Sequence, residues 1–149
     1  MPASPTFLSF EDRVAEGSMP RAVIFGAGHG STYPDKDSSG CTSAADAIRA
    51  ASQDDAALVE HWDFDLGGPV FDGNAGSCID AGNVPTVMRD NAENRARIEA
   101  KTREVLALEA VPVLLGGAVP SPFPFSPAFR VRGRSGSCRS TLIIDCATR

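Results

Sequence analysis

The stretch Ala22-Val23-Ile24-Phe25-Gly26-Ala27-Gly28-His29-Gly30-Ser31 decides the fold. A short continuous apolar run ends in a glycine-rich turn, the pattern of a strand buried on both faces. Turn residues follow (Pro34, Asp35, Asp37, Ser38, Ser39, Gly40), and Thr42 or Ser43 then stands where it can cap a helix running to about Ala51, with Ala45, Ile48 and Arg49 in its body. Residues 57–62 read as a second strand, and residues 66–85, polar and rich in glycine, as a long loop. Residues 87–108 read as a helix whose acids and bases mix at i, i+4 spacing. Val111-Pro112-Val113-Leu114-Leu115 followed by Gly116-Gly117 makes a third strand and a turn. Strands separated by helices imply right-handed crossovers and a mostly parallel sheet covered on both faces, an α/β fold.

Bulk composition sets the outer bounds. The chain has 149 residues, 42% hydrophobic and 22% charged, as expected for one globular domain with its own core. A net charge of -5 gives no electrostatic case for nucleic acid or an acidic membrane as a partner. No apolar run reaches the roughly 18 residues of a membrane span, and residues 1–10 carry no signal-peptide pattern, so a cytoplasmic protein is expected. Cys41, Cys78, Cys138 and Cys146 form no C-x-x-C pair and are expected as thiols rather than disulfides. Charge is uneven along the chain. Residues 118–149 hold five arginines against the single acid Asp145, whereas residues 1–117 hold nine bases and eighteen acids. Three segments result: an N-terminal extension over 1–19, the α/β portion over 20–117, and a Pro/Arg-rich tail over 118–149 whose prolines break any regular period.

The motifs that could carry chemistry are individually weak. Gly26 to Ser31 resembles a dinucleotide fingerprint, but that motif needs a helix to start at once, and here Thr32-Tyr33-Pro34 comes first. A tight turn bringing His29 to the C-terminal edge of the sheet fits better. His61, Asp63 and Asp65 would share one face of a strand and suit Mn or Zn, although polar residues at a strand end are the commoner outcome. Asp72, Asp80 and Asn83 lie among glycines and read as solvated turn chemistry. Trp62 and Tyr33 read as packing residues, since the basic residues of a base-stacking platform are missing around them. No G-x-S-x-G elbow or Walker loop is present.

Taken together and in order, several pieces resemble the N-terminal part of the ureohydrolase (arginase/agmatinase) family, its agmatinase-like branch above all. They are Phe25 to Pro34, Ala45-Asp46-Ala47-Ile48-Arg49-Ala50-Ala51-Ser52, Phe64-Asp65-Leu66-Gly67-Gly68, Ile79-Asp80-Ala81-Gly82-Asn83-Val84-Pro85 and Val111 to Gly117. The resemblance covers roughly residues 20–117. It implies a three-layer αβα fold with a parallel sheet, a homo-oligomer, and hydrolysis of a small guanidino compound, agmatine-like, to urea and an amine. It also implies two Mn2+ ions that acidify a bridging water, held by carboxylates and histidines because such ions favour O and N ligands.

The likeness breaks after Gly116-Gly117. The family continues there with Asp, then His or Asp, then Ser, and one strand later with Asp-Ala-His-x-Asp, whereas this chain continues Ala118-Val119-Pro120. From the family pattern only Asp145 can be carried over, as a metal ligand at the last aspartate of that second motif; His29 is expected at the rim as a substrate-binding residue because loops at strand C-termini form ligand sites in open α/β sheets. With the other carboxylates missing, a dinuclear centre is not expected to assemble, and this form is expected to be a truncated, inactive relative or a non-catalytic α/β domain. A truncated sheet is also expected to leave an unpaired edge and exposed apolar surface. The tail carries one further signature. The peptide Val-Leu-Gln-Ile-Asp-Ala-His-Ile, coded GTC CTG CAG ATC GAC GCT CAT AT and read one base later, gives Ser-Cys-Arg-Ser-Thr-Leu-Ile, which is Ser137 to Ile143. An excursion out of frame between about Gly117 and Ile143 would account for the arginine and proline content, and coding DNA without family-frame codons in that window would refute it.

Overall fold

The computed structural model describes residues 5–28, 39–71, 73–87, 90–116 and 143–145. In chain order the strands are β1 (Ala22–Ala27), β2 (Trp62–Asp63), β3 (Gly68–Pro69), β4 (Cys78–Val84), β5 (Val111–Gly116) and β6 (Ile143–Asp145). The two α-helices are α1 (Ala44–Ser52) and α2 (Asn91–Ala107). Four strands form one parallel sheet in the order β4-β1-β5-β6, and β2 and β3 form a separate antiparallel hairpin.

The apolar run of β1 sits in the middle of the sheet because both its faces are buried. Val23, Phe25 and Ala27 pack with Ile98 and Val105 of α2 and with Leu114. The alternate residue Ile24 packs on the opposite face with Ala45 of α1, Leu115 and Phe10. Side chains of a strand alternate between faces, so one central strand joins two helical layers. The result is the three-layer αβα arrangement. Phe25, Ile98 and Leu114 are fully buried, and each removes enough apolar surface from water to contribute about 1.5–3 kcal/mol. Residues 5–10 belong to the α1 face, where Phe7 and Phe10 pack together and Phe10 meets Phe71 edge-on.

Two expected elements differ. Residues 57–62 are not a strand: Gln53–Leu58 is a 3₁₀ turn continuing from α1, and only Trp62–Asp63 is extended. Asp54 and Asp55 in its first turn favour a helical start, and a short apolar run cannot by itself distinguish strand from helix. Conversely, the expected loop over 66–85 contains β4, the second strand of the sheet. Its pattern is disguised by an irregularity between Ile24 and Gly26 of β1, where Ile24 faces Asp80 but Gly26 faces Asn83. Gly82 sits at the extra position with φ 73°, a left-handed conformation that glycine adopts without strain. Helix α2 begins at Asn91, four residues later than its periodicity suggests, with the Asp90 carboxylate accepting from the Glu93 N–H at 3.1 Å as its cap. No helix among the described residues is long and apolar enough to cross a membrane.

Candidate functional site

In an open parallel sheet, ligands bind beyond the C-terminal ends of the strands where the strand order reverses. Here β1 connects outward to β4 on one side, and the chain then returns to β5 on the other, so the switch lies between β1 and β5. Ala27 and Gly116 face each other there, and Asp145 stands level with Gly116 on β6. Two glycines shape the end of β1. A Cβ on Gly26 would lie 2.0 Å from Asn83 Oδ1 and 2.6 Å from the Ala45 methyl. One on Gly28 would lie 2.8 Å from the Thr42 carbonyl oxygen and 2.9 Å from its Cα. The start of α1 is thereby drawn against the strand, and a hydroxyl hydrogen bond from Thr86 to the Gly28 carbonyl, at 3.4 Å, brings in the chain beyond β4.

Beside this end lies a four-residue polar network. Arg49, 3% exposed, meets the fully buried Asp80 carboxylate in a two-pronged contact, Nε to Oδ2 at 2.7 Å and Nη2 to Oδ1 at 2.8 Å. The same carboxylate accepts from the backbone N–H of Phe7 at 2.8 Å and of Gly82 at 3.0 Å. Arg49 Nη1 reaches outward to Asn83 Oδ1 at 2.5 Å and Asp46 Oδ1 at 3.2 Å, and Asn83 Nδ2 closes the ring onto Asp46 at 2.9 Å. Burial pushes the Asp80 carboxyl up, but the Arg49 guanidinium and the two N–H donors outweigh it and hold the group below the usual carboxylate range. Burial likewise lowers Arg49, and pairing with Asp80 and Asp46 more than reverses this. Asp80 is therefore no solvated turn residue. Its carboxylate is the anchor of a charged tie between helix α1, strand β4 and the N-terminal segment.

The other residues singled out in the sequence do not assemble into a site. Asp63 turns its Oδ1 onto the backbone N–H groups of Asp65 and Leu66 at 2.9 and 2.8 Å, closing a local turn at the tip of the hairpin. The strand that would align it with His61 and Asp65 is two residues long. Trp62 is 60% exposed rather than packed. His29 and Asp72 lie outside the described residues, as do Tyr33 and Gly117 to Leu142. Among the described residues the first helical ones after Gly28 are Ser39–Ser43, and residues 29–38, on which the dinucleotide fingerprint would be decided, lie outside the described residues. Among the described residues no three His, Cys, Asp or Glu side chains converge in a way that could hold a metal ion. The carboxylates of Asp46 and Asp80 are already engaged by Arg49 and Asn83. The described residues thus do not fit a dinuclear metal centre.

The family pattern of the arginase family matches residues 20–120, two thirds of the chain. The chain belongs to the arginase family. No curated protein matches it. Among solved structures, the fold is shared with a hypothetical agmatinase from Burkholderia thailandensis (TM-score 0.64, 22% identity, 85% of this chain and 38% of that one). It is shared also with the proclavaminate amidino hydrolase of Streptomyces clavuligerus (TM-score 0.62, 22% identity, 86% and 40%). A third is the Trypanosoma cruzi formiminoglutamase, solved with Mn2+ (TM-score 0.58, 21% identity, 89% and 42%). The chain therefore spans about two fifths of the length of the arginase-family structures it resembles.

Proposed function

We propose that this chain is the N-terminal scaffold portion of an agmatinase-like ureohydrolase, whose parent reaction is the manganese-dependent hydrolysis of a small guanidino compound to urea and an amine. The observation that carries this reading is the family match over residues 20–120. In a parallel sheet of this strand order such a substrate would sit beyond the strand ends, at the switch between β1 and β5. His29, one residue beyond Gly28, is the proposed substrate-side group, and Asp145, at the end of β6, the one proposed metal ligand. A single carboxylate cannot hold two divalent ions, so this form is proposed to be inactive, with the stretch over 118–142 read out of frame.

The test is direct. Purified protein is given Mn2+ and agmatine or 4-guanidinobutanoate, with urea release and calorimetric metal uptake followed in parallel. Neither urea nor stoichiometric Mn2+ binding is expected. Turnover on adding manganese would overturn the inactive assignment.

A further inference from the structure

The hairpin β2–β3 and the turn before it carry a run of large apolar side chains that nothing described covers. Leu58, Trp62, Phe64, Leu66 and Val70 are all exposed, Phe64 to 91% of its surface. Five large apolar side chains within thirteen residues exceed the scattered exposure normal for a monomer and mark an interaction surface. The same stretch is strongly acidic. Residues 53–66 contain Asp54, Asp55, Glu60, Asp63 and Asp65 and no lysine or arginine. None of these acids lies in an ion pair with a described cation, whereas the cations Arg97, Lys101 and Arg103 of α2 are matched by acids of their own helix. A second copy of this surface would meet it with like charge. An acidic, aromatic surface fits an occupant that is cationic and also brings apolar side chains, because arginine stacks on aromatic rings as well as pairing with carboxylates.

One stretch of this chain has that chemistry. Residues 118–142 hold Arg130, Arg132, Arg134 and Arg139, no acid, and Phe123, Phe125 and Phe129. Its reach and entry point suit the hairpin. The 26 residues between Gly116 and Ile143 span about 85 Å when extended. β4 and β6 run parallel to their neighbours, so the chain enters both at the same edge of the sheet, and the hairpin immediately precedes β4 while the arginines immediately precede β6. We propose that the apolar, acidic hairpin is a docking surface for the arginine-bearing stretch over 118–142 of the same chain.

Trp62 is the only tryptophan, so its fluorescence reports this surface alone. In the full chain at low concentration, Trp62 is expected to be shielded from acrylamide several-fold better than in the urea-unfolded chain, independently of protein concentration. Raising the salt, or substituting Arg130→Glu, Arg132→Glu, Arg134→Glu and Arg139→Glu together, should remove most of that shielding. Far-UV circular dichroism tells whether the variant stays folded, and the salt titration of the unaltered chain stands without it. Trp62 equally quenched in all forms would overturn the proposal. So would shielding that appears only as concentration and hydrodynamic size rise, which would assign the surface to a second copy instead.

Discussion

Asp80 is the residue on which the α1 side of the molecule depends. Its carboxylate has no exposed surface and is held by four donors from three separate parts of the chain, Arg49, Phe7 and Gly82. Removing one member of such a pair leaves the other charge buried and unpaired, which costs about 3–5 kcal/mol. Asp80→Ala is therefore expected to lower the urea midpoint by a large part of total stability, while a paired replacement by apolar residues at 49 and 80 should be far milder. The pH dependence has a definite sign. Asp80 titrates lower in the folded than in the unfolded chain, so its stabilisation is complete above the ordinary carboxylate pKa near 4 and is lost as pH falls through the depressed folded value. Thermal melts from pH 6 down to pH 3 should show that loss in the unaltered protein and a flatter profile in Asp80→Ala. None of this was legible in the sequence. Asp80 stands among glycines and asparagine, where turn chemistry is the normal reading, and nothing local ties it to an arginine 31 residues earlier.

Among the elements, legibility follows burial. β1 and β5 were readable because strands buried on both faces are continuous apolar runs, and α2 because its charges repeat at helical spacing, with Glu93–Arg97 and Glu99–Arg103 paired at i, i+4. β4 was hidden for the opposite reason: a bulged strand with Gly82 at a left-handed position shows no alternation. The glycine it pairs with makes the contact testable. Gly26→Ala places a methyl where Asn83 and Ala45 already stand, so it should cost about 1–3 kcal/mol in chemical denaturation, and Asn83→Ala in the same chain should recover part of the loss. At the end of α2, Glu109 adopts φ 61°, which a non-glycine residue holds at a cost of about 1–2 kcal/mol. Glu109→Gly is accordingly expected to raise the melting temperature by a few degrees, and an unchanged or lower value would show that the left-handed residue is stabilised by its surroundings.

For the whole molecule, family and architecture were visible in the ordered set of short matches over residues 20–117, whereas the candidate site was not, because its chemistry depends on contacts between distant segments. The close approach of Gly28 to Thr42 has a consequence at this scale. The two ends of the intervening stretch already touch, so its closure is built into the framework rather than imposed by its own length. Doubling the number of residues there would add only about 0.6 kcal/mol of closure entropy. Evolution or an engineer could exchange that stretch wholesale while leaving the layers beneath it undisturbed.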